Sequence, residues 1–166
     1  RSIPKNGMIS LRDRVIRRIS ITLDKELIKV KIAQTLALKP DIRLAYLFGS
    51  QAKNTAGVLS DIDVAVFFAE TAECAKENIY GYEYDLALEL EKALEAGPVD
   101  LVVLNKAPIF LRFQVLKGGE LVLCRSERER VRFHEETIRL YLDFLPFREI
   151  QNSYLKKRIA EGVFGR

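Results

Sequence analysis

The stretch Phe48-Gly49-Ser50-Gln51-Ala52-Lys53-Asn54-Thr55-Ala56-Gly57-Val58-Leu59-Ser60-Asp61-Ile62-Asp63 decides how this chain is read. It opens where the apolar run Leu44-Ala45-Tyr46-Leu47-Phe48 meets Gly49-Ser50, the pattern of a buried strand entering a tight turn. It closes on a second strand, Asp61 to Phe68, in which Asp61 and Asp63 stand two apart and share a face. Ile62, Val64, Val66 and Phe68 take the opposite face and enter the core. Two carboxylates forced onto one face repel, which costs stability unless something positive lies between them. A hard divalent cation such as Mg²⁺ prefers such oxygens, supplemented by water and phosphate. Taken alone, the pair reads equally well as a solvated loop-to-strand junction. Asp100 adds weight to the first reading, because it opens the next predicted strand in the same way, followed by apolar Leu101-Val102-Val103. If the two strands are neighbours, three carboxylates converge at one end of a sheet.

Gly49-Ser50 supplies the other half of such a centre. Glycine lets a backbone approach a phosphate closely, and serine donates both its amide and its hydroxyl. A short helix starting at Ser50 would add free amides and a positive dipole end, although an ordinary turn with a serine cap is the plainer alternative. Ten residues, 51–60, separate Ser50 from Asp61, enough for one short helix and a loop back to the sheet. Phosphate on one side and divalent cations on the other is the arrangement of two-metal phosphoryl or nucleotidyl transfer.

Outward from this centre, residues 11–19 carry Leu11, Val15, Ile16 and Ile19 at helical spacing, and a longer periodic stretch runs from Asp24 to Leu38 before Lys39-Pro40-Asp41. Two helices are expected there. Residues 77–96 form another, with Leu86, Leu90 and Leu94 every four residues and Gly97-Pro98 as its stop. Val99 to Leu104 is the third strand, Ala107 to Lys117 a short helix closed by Gly118-Gly119, and Glu120 to Cys124 a fourth strand. Ser126 with Glu129 resembles a capping box, opening a helix with the stripe Val131, His134, Ile138, Tyr141 and Leu145; Pro146 should divide it from a last helix over 147–161. The expected fold class is mixed α/β (α+β), in one domain: a basic arm over 1–22, a core over 23–125 and a helical C-terminal extension over 126–166.

Composition narrows the function classes. At 166 residues, 48% hydrophobic and 30% charged, the chain can bury a core and is not of disordered type. It contains no apolar run long enough to span a bilayer and no secretory signal pattern, so a cytoplasmic protein is expected. Cys74, Cys124 and the single His134 lack the spacing of a zinc site, and the thiols are expected to be reduced, with ordinary packing roles. The formal charge is +4, but Arg1, Lys5, Arg12, Arg14, Arg17 and Arg18 against Asp13 put +5 on residues 1–20 and leave −1 for residues 21–166. A basic nucleic-acid face on the domain is therefore not expected.

Gly49-Ser50, ten residues, then Asp61-x-Asp63 reproduces the G-S-x10-D-x-D motif, and Pro98-Val99-Asp100-Leu101-Val102 resembles the third-carboxylate segment, of the DNA polymerase β-like nucleotidyltransferase superfamily. The short length and the segment Leu111-Arg112-Phe113-Gln114-Val115-Leu116-Lys117-Gly118-Gly119, with its helical tail, resemble the minimal nucleotidyltransferase (MNT) antitoxins that pair with HEPN ribonuclease toxins. The likeness covers residues 23 to 160. It departs at Lys53-Asn54, where the family often has Arg-Gly; lysine keeps the cation, and asparagine tolerates a left-handed backbone. The resemblance implies a nucleotidyltransferase fold, a small mixed sheet flanked by helices. It implies transfer of AMP from ATP to a tyrosine of a HEPN toxin, which silences the toxin, and a hetero-oligomer of the two proteins. In that frame Asp61 and Asp63 hold two Mg²⁺ ions, and Asp100 binds the catalytic metal and helps activate the tyrosine hydroxyl. Gly49 and Ser50 hold the triphosphate, with Lys53 assisting. Two other functions stay open: an antitoxin acting by contact alone, and a transferase acting on a small molecule such as an aminoglycoside.

Other features are weaker. His134 sits in an apolar stripe and reads as a packed histidine. Tyr80, Tyr82 and Tyr84 are possible AMP acceptors, with ordinary packing the plainer alternative. Phe144, Phe147 and Tyr154 either cover the sheet or form a partner site.

Overall fold

The structure, a computed structural model, describes residues 25–52, 61–69, 80–95 and 98–162. The segment 11–19, Lys53-Asn54, Cys74 and Gly97 lie outside the described residues. The elements are α1 (25–37), β1 (Ile42–Phe48), α2 (Gly49–Ala52), β2 (Ile62–Phe68), α3 (Tyr80–Leu94), β3 (Val99–Val103), α4 (Ile109–Gly118), β4 (Glu120–Cys124) and α5 (Glu127–Ala160). The strands form one mixed sheet in the order β3-β2-β1-β4. β1 pairs antiparallel with both β2 and β4, while β2 and β3, joined through α3, run parallel. The mixed α/β expectation holds.

Each face of the sheet is covered because the chain alternates as a strand and then repeats as a helix. Ile62, Val64, Val66 and Phe68 of β2 point to one face. There they meet Ile32 and Leu36 of α1 and Leu86, Leu90 and Leu94 of α3, apolar residues four apart. Ala65 and Phe67 point to the other face, where Val115 of α4 and Phe133 of α5 close a second cluster with Tyr46 and Leu104. Fully burying one such leucine or phenylalanine contributes about 1.5–3 kcal/mol, so both layers are needed to offset the entropy of ordering the chain.

Several boundaries differ from the sequence expectation. β1 starts at Ile42, and Asp61 stands one residue before β2, whose first amide, Ile62 N, donates to Pro98 O at 3.0 Å. α3 ends before Gly97: the left-handed residue after it is Glu95, at φ +52°. Gly119, after α4, is extended at φ −86° and ψ 156°, and is glycine for space, since a Cβ there would lie 2.6 Å from Val115 O.

The largest correction concerns Pro146. No break occurs there: α5 is one helix of 34 residues, about 51 Å at 1.5 Å per residue, with proline inside it. Proline removes the amide that would bond Leu142 O. Both Pro146 and Leu142 are exposed, at a point of the helix open to solvent. Ser126 caps α5 as expected, its Oγ accepting from Glu129 N at 3.2 Å. Among the described residues no helix is long and apolar enough to cross a membrane.

Candidate active site

Register brings the carboxylates together. In the parallel β2–β3 pair Asp63 is opposite Asp100, and in the antiparallel β1–β2 pair Asp63 is opposite Phe48, the residue before Gly49. Asp61 precedes β2 by one residue. The C-terminal end of β1 and the N-terminal ends of β2 and β3 therefore meet at one edge of the sheet. Asp61 and Asp100 are exposed there, and Asp63 is half-buried.

Gly49 is required twice over. Its φ of +72° is left-handed, and a Cβ at that position would sit 1.9 Å from Asp63 Oδ2 and 2.6 Å from Asp63 Cγ. The Asp63 carboxylate thus lies directly against the main chain of the turn, and Ser50 follows as the second residue of α2. Burial pushes the Asp63 carboxyl above the ordinary carboxylate range, and the negative charges of Asp100 and Asp61 push it further. A site that raises a carboxyl by gathering like charges has a built-in demand for a cation.

Among the described residues no three acidic, histidine or cysteine side chains are already gathered as a metal cage. The donor types nevertheless fit a hard divalent ion: carboxylate oxygens only, placed by adjoining strands, with the central one raised by burial and then by its like-charged neighbours.

Four supporting residues were not singled out from sequence. Lys25 of α1 is buried, and its Nζ donates to Ala52 O, the last carbonyl of α2, at 2.8 Å and to Glu120 of β4. Glu120 also takes Lys29 Nζ at 3.1 Å; burial would raise its carboxyl, but the two lysines more than offset that and hold it below the usual range. Glu91 Oε1 accepts from Val99 N at 3.1 Å, fixing the start of β3 just before Asp100. One signal existed: Lys25 occupies the apolar stripe with Ile28, Ile32 and Leu36, where helical period calls for an apolar residue.

The remaining candidates lie elsewhere. His134 is half-buried against the sheet, its Nε2 2.9 Å from the Tyr46 hydroxyl, which burial pushes up to about 12. Tyr82 packs edge-on to Phe68 and donates to Asp41 Oδ2 at 3.1 Å, whereas Tyr84 is exposed. Cys124 is an exposed free thiol rather than a packed one, its Sγ 3.6 Å from Glu127 Oε2. Phe144 is half-buried, but Phe147 and Tyr154 are 54% and 66% exposed and do not cover the sheet. A cavity of about 210 Å³ lies at the other end of β2, lined by Arg43, Phe67, Glu129, Arg132, Phe133 and Glu136, away from the carboxylates.

A four-stranded mixed sheet with carboxylates at a glycine-serine turn is the build of a nucleotidyltransferase. The family described as polymerase beta, nucleotidyltransferase, matches residues 30–128. Protein adenylyltransferase MntA of Shewanella oneidensis is 38% identical over 102 residues, 61% of this chain and 68% of that protein. The crystal structure of a toxin–antitoxin with AMP-PNP contains a chain that superposes with a TM-score of 0.66 at 32% identity, over 77% of this chain and 98% of that one. A second, tri-AMPylated Shewanella oneidensis HEPN toxin in complex with MNT antitoxin, contains one that superposes at 0.63 and 30% identity, over 80% and 98%. The chain belongs to the polymerase β nucleotidyltransferase family, in the minimal nucleotidyltransferase branch that includes the antitoxins.

Proposed function

We propose that this protein is an antitoxin that transfers AMP from ATP to a tyrosine of a HEPN-domain toxin and associates with that toxin as a hetero-oligomer in the cytoplasm. The observation that carries the reading is the register pair Asp63–Asp100, set against the main chain of Gly49 with Asp61 one residue before β2. The likeness to a protein adenylyltransferase and to antitoxin chains from complexes with AMP-PNP and with an AMPylated toxin supports the donor and the acceptor.

In this reading Gly49 and Ser50 hold the triphosphate through the turn's amides and the serine hydroxyl, and Lys53 adds a cation beside it. Asp61, Asp63 and Asp100 would hold two Mg²⁺ ions, which supply charge neutralisation on the attacking and leaving oxygens when bound. Asp100, exposed at the mouth of the site, accepts the proton of the tyrosine hydroxyl. The phenolic oxygen then forms a bond to the α-phosphorus of ATP, and the bond from that phosphorus to the β-bridging oxygen breaks. Tyrosine-linked AMP and pyrophosphate are the products. Asp63, pressed against Gly49, fixes where the phosphates lie relative to that attack.

Intact-mass analysis of the protein mixed with Mg²⁺-ATP and the product of its neighbouring gene tests the reading. The expected result is a toxin heavier by one or more AMP units, with no increase when Asp61→Ala/Asp63→Ala, still folded, replaces the protein. A tight complex without mass change would establish neutralisation by contact instead. Neither mass change nor complex would point to a small-molecule acceptor.

A further inference from the structure

A lysine whose side chain is 9% exposed is costly unless its ammonium is fully employed. Lys25 Nζ is employed on both flanks of the Phe48-Gly49-Ser50 turn. On the C-terminal side it donates to Ala52 O at 2.8 Å, and terminal helix carbonyls lack intrahelical donors. On the N-terminal side it pairs with Glu120, whose register partner is Leu47, two residues before Gly49. Lys29 holds the other Glu120 oxygen at 3.1 Å, so Glu120 is pinned between two cations of α1. The turn that lies against Asp63 is thus fastened at both ends to one buried point charge on another element.

We propose that Lys25 is a positioning residue for nucleotide binding: acting through Ala52 and Glu120, it holds the Gly49-Ser50 turn in the shape that receives the triphosphate. The proposal rests on the nucleotidyltransferase reading above. It separates Lys25 from a packing residue, since methionine fills nearly the same volume but donates nothing. It also separates Lys25 from the chemistry, because its ammonium is committed to protein oxygens rather than to reacting atoms. Loss of the ammonium should therefore weaken nucleotide binding far more than it slows turnover of bound nucleotide.

Calorimetric titration of the full chain with Mg²⁺ and AMP-PNP reads this without any acceptor. Lys25→Met is expected to bind about tenfold more weakly, the scale of one charged hydrogen bond. Lys25→Arg, which keeps charge and donors, should recover most of the loss. With toxin present, KM for ATP should rise in Lys25→Met by a similar factor while kcat stays within about threefold. Lys39→Met, which removes an ion pair to Glu89 and touches neither flank of the turn, should bind as the unaltered protein does. The proposal is overturned if folded Lys25→Met binds AMP-PNP normally, or if the Met and Arg variants lose affinity equally and in step with thermal stability, as packing alone would dictate. Failure of the unaltered protein to bind AMP-PNP would instead remove the nucleotidyltransferase reading, and this proposal with it.

Discussion

Asp63 is held half-buried between Asp61 and Asp100, with the main chain of Gly49 against one of its oxygens, and each neighbour raises the free energy of its ionised form. A carboxyl raised in the fold binds its proton more tightly there than in the unfolded chain. Its contribution to stability is therefore fullest at acid pH, and is lost as pH rises through the ordinary carboxyl value and then through the folded one. At neutral pH ionised Asp63 opposes folding. Asp63→Asn should accordingly abolish AMP transfer yet raise Tm at pH 7, by on the order of 1–2 °C because the partly solvated charge is screened. Thermal unfolding followed at pH 7 and again near pH 3 should show that gain shrinking toward zero as the native carboxyl becomes protonated. The acidic residues and Gly49 were legible in sequence because strand alternation and turn stereochemistry are local rules. Lys25 and Glu120 were not, since their pairing spans 95 positions and a lysine in a helical pattern reads as solvated until its partner is placed beside it.

At the scale of elements, helix and strand identities followed from period, while the ends depended on contacts no local pattern contains. Asp61 falls outside β2 because pairing begins at Ile62, and Glu95 rather than glycine takes the left-handed position after α3. Pro146 shows the same limit from the other side. A proline inside a helix costs roughly 3 kcal/mol relative to alanine, which is why the sequence suggested a break. Phe113 stacked on Tyr141 at 3.7 Å and Arg148 4.3 Å above the Phe110 ring clasp α5 to α4 on both sides of the proline, and the helix runs through. Pro146→Ala restores the missing amide and should slow backbone hydrogen exchange across residues 147–160. Because residues 151–160 are all exposed, the global Tm should move little; an unchanged exchange pattern would show that α5 is already as firmly helical without that bond.

For the whole molecule, sequence left two things open that only the assembled fold supplies: the strand order, which makes β2 and β3 parallel neighbours, and the division of labour along α5. The first half of α5 belongs to the core, with Phe133 buried in the second cluster against Phe67 at a ring separation of 4.6 Å and His134 bonded to Tyr46. The far half carries Phe147, Ile150, Tyr154 and Ile159 exposed. A core over 23–125 with a helical extension over 126–166 within one domain is thus open to a direct test by truncation. A chain ending at Ile150 keeps every buried side chain of α5 and the Arg148–Phe110 contact, and should melt within about 2 °C of the full chain. A chain ending at Cys124 strips Phe133 and Thr137 from the sheet and leaves Tyr46, Ala65 and Phe67 open on that face. Losing one buried phenylalanine alone costs about 3–5 kcal/mol, a large share of a domain's net stability, so this chain should show no cooperative unfolding transition. Circular dichroism melts of the two truncations decide the matter: a cooperative melt of the shorter one would make residues 126–166 an appendage, and its absence makes the first half of α5 part of the fold that shapes the site.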